Sequence, residues 1–237
     1  MEIIFVDDYD KLSELACNNV VMTIENNKNA LFCLATGDTP TQTYANIHKM
    51  HLRHAGMFAN IRIIKLDEWC DMPVDEKCTC ESYLHKNILA PLSVSDERYF
   101  TFSNKLIDSA QECTRINKVL ESEGPIDLII LGLGQNGHVG LNEPNTWLKP
   151  HAHVVKLSKQ TKMHSMLDLC THKPNYGISL GIADILSAKK ILLLVSGSGK
   201  QNTVKKLLTG NISTHLPASL LWLHSDVSVI VDSDSMQ

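Results

Sequence analysis

The sequence predicts an α/β fold: an open, doubly wound, mainly parallel sheet with helices on both faces, three layers in a Rossmann-like arrangement. Two observations carry this expectation. Short apolar runs alternate with longer amphipathic stretches along the whole chain, which is the βαβα pattern. The runs themselves are apolar throughout instead of alternating, as strands covered on both faces require. At 237 residues, 43% of them apolar, the chain can bury a sizeable core, and one domain over residues 1–237 is expected.

Taken in order, EIIFV reads as the first strand, followed by a helix from Asp10 to about Asn26. ALFCLAT is the second strand, and a helix from Thr41 to about His54 follows it. IRIIKLDE reads as one strand, then come a helix around Tyr83 to Leu89, the short strand YFTF and a helix from about Asn104 to Ser122. DLIILGLG and KKILLLVSG are further strands; a helix from about Gln201 to Leu208 and the strand VSVIVD end the pattern. The stretch 147–175, irregular and rich in His and Lys, reads as a lid over a site. There is no internal repeat, low-complexity tract or linker-like shift in composition.

Bulk properties exclude several classes of function. Lys plus Arg is 22 against 26 for Asp plus Glu, a net charge of −4 without a basic cluster, so nucleic acid is not an expected partner. The longest apolar run, ILLLV, has strand length, and no membrane span is expected. The acidic start MEIIFVDDYDKL lacks the features of a signal peptide. Seven cysteines without such a leader point to a reducing cytoplasm and to mostly free thiols. Cys70, Cys78 and Cys80 do not have zinc spacing, and no metal is expected. His51 and His54 in HLRH read as a solvated helix end.

In a doubly wound sheet, ligands collect beyond the carboxyl ends of the strands. Four loops there stand out: TGDTP, LDEW, GLGQNGHVGLNEP and SGSGK. Gly132, Gly134 and Gly137 satisfy the G-x-G-x-x-G spacing of a dinucleotide loop. The context contradicts it, since the chain runs into Asn142-Glu143-Pro144 instead of a helix, and no acid stands near Val154 and Val155. No cofactor is expected. His138 can exchange a proton near neutral pH, with Glu143 fixing its tautomer, or both can simply brace a tight turn. Asp67 and Glu68 place two carboxylates at a strand end, one of them a candidate base. Thr36, Gly37 and Thr39 precede a helix whose first turn Pro40 can occupy, a setting suited to phosphate, and SGSGK adds Lys200.

In this combination and order, TGDTP, KLDEW, GLGQNGHVGLNEP and SGSGK resemble the glucosamine-6-phosphate deaminase family, also called the glucosamine/galactosamine-6-phosphate isomerases, over nearly the whole chain. The segment YGISLGIADILSAKKILLLVSGSGK is similar to the galactosamine-6-phosphate isomerases somewhat more than to the glucosamine enzymes. The resemblance implies ring opening of an amino-sugar phosphate, aldose–ketose isomerisation and loss of the 2-amino group as ammonia, without a cofactor. It makes Asp67 the base at C2 and His138 the ring-opening proton shuttle, with Glu143 and Asn136 as its catalytic neighbours. It puts the phosphate on Thr36, Gly37, Asp38, Thr39 and Lys200, and the sugar on Glu68 and Gly137.

Three departures accompany the resemblance. Asn136 stands where some members carry an aspartate. The lid stretch SKQTKMHSMLDLC has no arginine for the phosphate, so either Lys162 or His164 replaces it or the phosphate is held more loosely. Basic residues of the allosteric site of some members lack counterparts near His153 and Val155. The rival enzyme is a 6-phosphogluconolactonase, disfavoured by VGLNEP after His138 and by LDEW. A sugar-phosphate sensor would need a helix-turn-helix, for which a first strand at Glu2 leaves no room. A homo-oligomer is compatible with the sequence, which does not set the number of subunits. No activation by an N-acetylated sugar phosphate is expected. Rate titrations with and without that ligand should superimpose, and a sigmoidal curve made hyperbolic by it would refute this.

Overall fold

The computed structural model describes residues 1–73, 76–163 and 165–237, the side chain of residue 169 excepted. Its strands are β1 (Glu2–Val6), β2 (Leu31–Leu34), β3 (Arg62–Lys65), β4 (Asp67–Trp69), β5 (Tyr99–Phe100), β6 (Leu128–Gly132), β7 (His153–Lys156), β8 (Tyr176–Ser179), β9 (Lys190–Val195) and β10 (Val227–Asp232). The α-helices are α1 (Tyr9–Asn26), α2 (Asp38–Arg53), α3 (Cys80–Leu84), α4 (Ser109–Glu123), α5 (Ile182–Leu186) and α6 (Gln201–Leu208). No helix among the described residues is long and apolar enough to cross a membrane.

Seven strands form the main sheet in the order β1-β10-β9-β6-β2-β3-β5, with every neighbouring pair parallel. Strand alternation divides its apolar residues between two layers. On β2, Leu31 and Cys33 join the cluster that holds Ile116 of α4, Ile185 of α5 and Leu207 of α6. Phe32 and Leu34 join the cluster that holds Leu12 of α1 and Ile47 of α2. The same split recurs on β9, where Leu193 and Leu192 go to opposite sides. Both faces are therefore dry, which explains why these strands read as unbroken apolar runs.

The sequence reading misses a second sheet. Strands β4, β8 and β7 pair antiparallel in that order. IRIIKLDE is not one strand: β3 ends at Lys65, and Asp67 opens β4 in the other sheet. Of the stretch 147–175 expected to be a lid, residues 153–156 are β7, built into this small sheet. Among the described residues of that stretch, Gln160, Thr161, Met163, Ser165 and Met166 line a cavity.

A buried charge network fixes the crossing from one sheet to the other. Lys65 is 1% exposed, and its Nζ reaches Glu68 Oε2 at 2.8 Å and Glu81 Oε2 at 2.6 Å. Burial opposes the lysine's charge, and the two carboxylates more than offset it, holding its pKa above the ordinary value. Glu68 also accepts the backbone N–H groups of Trp69, Cys80 and Glu81. Glu81 accepts the hydroxyls of Tyr99 and Thr101, and despite partial burial its pKa lies below the ordinary value, mainly through Lys65. Removing one member of such a group leaves an uncompensated buried charge. Lys65→Met is expected to cost roughly 3–5 kcal/mol in urea unfolding, whereas a loss below about 1 kcal/mol would show that the network does not hold this crossing.

Candidate active site

Strand β6 sits between β2 and β9 in the main sheet. The chain leaves β2 for β3 on one side, and after β6 it reaches β9 on the other, so a crevice opens where the windings diverge. A cavity of about 660 Å³ lies there. It is lined by the loops after β2, β6 and β9, by Asp67 and Trp69 of β4, and by Gln160, Thr161, Met163, Ser165 and Met166. Its size suits a small ligand.

Asp67 is 8% exposed and lines this cavity. Burial, with the charge of Glu68 adding to it, pushes its carboxyl up from 3.8 to about 7. The thiol of Cys80 lies 3.7 Å from Asp67 Oδ1 and works against that rise, and Thr36 Oγ1 donates to the Cys80 sulfur at 3.3 Å. Glu68, one residue on, is 1% exposed and does not line the cavity. Alternation along β4 sends its side chain into the Lys65 network, so Glu68 supports Asp67 instead of meeting a sugar.

The loop after β6 presents His138. Its Nδ1 lies 2.7 Å from Asn136 Oδ1, which also accepts the His138 backbone N–H at 3.1 Å. Asn136 Nδ2 donates to Glu143 Oε2 at 2.8 Å, whereas Glu143 Oε2 is 3.8 Å from Nδ1. The glutamate is thus one step removed from the ring, and the amide stands between them. A carboxylate can only accept here, which orients the amide with its oxygen toward the imidazole. The neutral ring then carries its proton on Nδ1 and has Nε2 as its proton acceptor.

Gly134 serves the same histidine. A Cβ at that position would lie 2.4 Å from His138 Cε1, so the ring packs directly on the glycine backbone. Gly137, expected to contact substrate, does not line the cavity; it turns the chain at φ 87° and its carbonyl accepts Ala218 N–H at 2.9 Å.

At the start of α2, Gly37 is the N-cap residue and no side chain caps the helix, so its first N–H groups point to a place for an anion. Thr36, Gly37, Asp38 and Thr39 all line the cavity. The loop is held from behind: Tyr83 Oη and Thr41 Oγ1 donate to Gly37 O at 2.8 and 2.9 Å, and Tyr9 Oη donates to Asp38 O at 2.8 Å. The Asp38 carboxylate accepts Ser165 Oγ at 2.8 Å, so that residue offers an anion its backbone and not its side chain. Lys200 lines the same cavity, its Nζ 2.5 Å from Ser196 O, with burial lowering its pKa. It is the one lysine or arginine among the described lining residues. Lys162 does not line the cavity and donates to Asn175 Oδ1 at 2.6 Å, and His164 lies outside the described residues.

The cysteines diverge. Cys78 pairs with Cys170 in a disulfide across 92 residues, contrary to the expectation for that pair, while Cys17, Cys33, Cys70, Cys80 and Cys113 are free. Tertiary approach makes this pair, and spacing along the chain carries no sign of it. Glu76 accepts Thr171 N–H at 3.2 Å beside it, so the end of the covering segment is tied to the loop before α3.

The chain matches the family model described as glucosamine-6-phosphate isomerases/6-phosphogluconolactonase over residues 8–230. It is 39% identical to the putative deaminase AgaI of Escherichia coli K12, covering 96% of this chain and 90% of that one. It is 36% identical to glucosamine-6-phosphate deaminase 1 of Bacillus subtilis, covering 99% and 98%. Among solved structures, a monomeric glucosamine-6-phosphate deaminase of the NagB superfamily superposes with a TM-score of 0.92 at 36% identity, covering 99% and 98%. The 6-phosphogluconolactonase of Trypanosoma brucei, at 22% identity and a TM-score of 0.77 over 98% and 96%, shares the fold. The chain belongs to the glucosamine-6-phosphate isomerase/6-phosphogluconolactonase family.

Proposed function

We propose that the chain converts an amino-sugar 6-phosphate, galactosamine-6-phosphate or its C4 epimer glucosamine-6-phosphate, to the ketohexose 6-phosphate with release of ammonia. The observation that carries this reading is a buried carboxylate with a pKa of about 7, Asp67, sharing one cavity with a histidine whose Nδ1 is held by Asn136. The names of the relatives at 39% and 36% identity support the same chemistry.

The steps follow from the groups present. His138 Nε2 takes the proton of the anomeric hydroxyl and returns it to the ring oxygen, opening the sugar. Asp67, in its ionised form, takes the proton at C2, which the adjacent C1 carbonyl acidifies, and delivers it to C1, while the amine at C2 gives up a proton to O1. The resulting imine at C2 adds water and expels ammonia, leaving the ketone. The phosphate rests on the N-terminus of α2 and on Lys200, and its binding energy positions C2 at Asp67.

Incubation with each epimer, with ammonia and ketose phosphate as readouts, tests the reading directly. A protein that releases ammonia from neither and hydrolyses a phosphogluconolactone would overturn it. Asp67→Asn should lose at least about two orders of magnitude in turnover, the usual scale for a general base, with KM little changed. Because Asp67 must be ionised to act, kcat/KM of the parent chain should fall as pH drops below about 7. The same raised pKa opposes folding of the ionised form: stability declines as pH rises from 3.8 to about 7, and the penalty persists above that. Asp67→Asn should therefore melt higher than the parent at pH 8, and an equal or lower Tm would contradict the burial argument. Gly134→Ala should displace the His138 ring and lower kcat by about a hundredfold with the circular dichroism unchanged.

A further inference from the structure

Asp67 shares its buried surroundings with a residue that the steps above do not use. Cys80 is the first residue of α3 and is fully buried. Its backbone N–H donates to Glu68 Oε1 at 2.9 Å, which fixes the chain there whatever the side chain. From this point its thiol donates to Asp67 Oδ1 at 3.7 Å. Thr36 Oγ1 donates to the sulfur at 3.3 Å, engaging it as an acceptor and leaving its hydrogen for the carboxylate. Burial, with the charges of Glu68 and Asp67 adding to it, pushes the thiol well above its ordinary pKa. Cys80 therefore stays a donor over the range in which Asp67 titrates.

The other titratable groups around Asp67 leave this contact as its hydrogen bond among the described residues. Lys65 of β3 is bonded to Glu68 and Glu81. Cys33 of β2 and Tyr44 of α2 are kept protonated by burial, and Tyr44 Oη donates to Ala35 O at 2.6 Å. Glu68 raises Asp67 by its charge, and Asp38, His138 and Lys200 stand on the same cavity wall. A thiol is a weak donor, and the strength of a donor decides how far it favours the ionised carboxylate. A hydroxyl in this place would hold the carboxylate more firmly and make it a poorer base; with no donor the carboxyl would keep its proton to higher pH.

We propose that Cys80 is a positioning residue for Asp67: its thiol holds Oδ1 by a weak hydrogen bond, which orients the carboxylate at the cavity without quenching it as a base. Sulfur at this position sets the compromise between being ionised and being basic. The kinetic consequence rests on the deaminase reading above, and the electrostatic one does not.

The test compares Cys80→Ser, nearly equal in size with a stronger donor, with Cys80→Ala, which removes the donor. In ligand-free protein labelled with 13C at the aspartate carboxyls, the signal absent from Asp67→Asn reports Asp67. Its titration midpoint should fall by on the order of one pH unit in Cys80→Ser and rise by about half a unit or more in Cys80→Ala. The acid limb of kcat/KM should move in the same two directions, and the alkaline plateau of kcat in Cys80→Ser should drop about threefold as the base weakens. Shifts of both variants in one direction, or midpoints within about 0.2 unit of the parent in both, would overturn the proposal, as would losses of kcat with no movement of the limb. Should the alanine variant fold poorly, Cys80→Ser against the parent carries the test, and an unmoved midpoint there overturns it. If the parent chain releases no ammonia from either epimer, the functional reading fails while the carboxyl titration still decides the role of Cys80.

Discussion

The ion pair between Lys65 and Glu68 is the constraint around which the site is built. It lies where the chain leaves the parallel sheet at β3 and enters the small antiparallel sheet at β4. By engaging Glu68 on one side of β4, it leaves Asp67 the other side, and alternation along the strand does the rest. The same carboxylate anchors the start of α3 through the N–H groups of Cys80 and Glu81. That helix carries the thiol that touches Asp67, and Tyr83, whose hydroxyl steadies Gly37. One desolvated charge pair thereby orders Asp67, its neighbour and the loop at the start of α2.

The polar groups of the site divide sharply by what surrounds them. Glu68 is as buried as Asp67 but has a lysine and three N–H donors; Asp67 has a thiol, and its carboxyl is pushed up into the neutral range. Two adjacent carboxylates at nearly equal depth are thus assigned opposite tasks by their hydrogen-bond partners. Lys200 follows the same logic with the opposite sign, since burial lowers its pKa and an arriving phosphate would raise it again.

Much of this was legible in the sequence. The apolar runs of β1, β2, β3, β6, β9 and β10 announce a sheet covered on both faces, and the loops at their carboxyl ends contain Thr36, Gly37, Asp67, His138 and Lys200, which line one cavity. The small sheet was not legible, because HVVK is half-exposed and YGIS contains a glycine, so neither shows the period or the apolar density of a strand. The break at Leu66 was hidden by continuity, since IRIIKLDE is apolar enough to pass as one element. Cys80 carries no motif at all; its place beside Asp67 arises from a contact that only the folded chain makes. Asn136 was visible as an oddity, and its meaning depends on an amide orientation that no spacing encodes.

The cavity is a seam between two sheets of different construction. Asp67 belongs to the antiparallel one, and the residues at the start of α2, His138 and Lys200 follow strands of the parallel one. A ligand lying across the seam would contact both, and would tie two parts of the fold together. Occupancy then adds to the free energy of unfolding as the logarithm of ligand concentration over Kd, about 2.7 kcal/mol at a hundredfold excess. In this sense the substrate is, for as long as it is bound, a structural member of the protein.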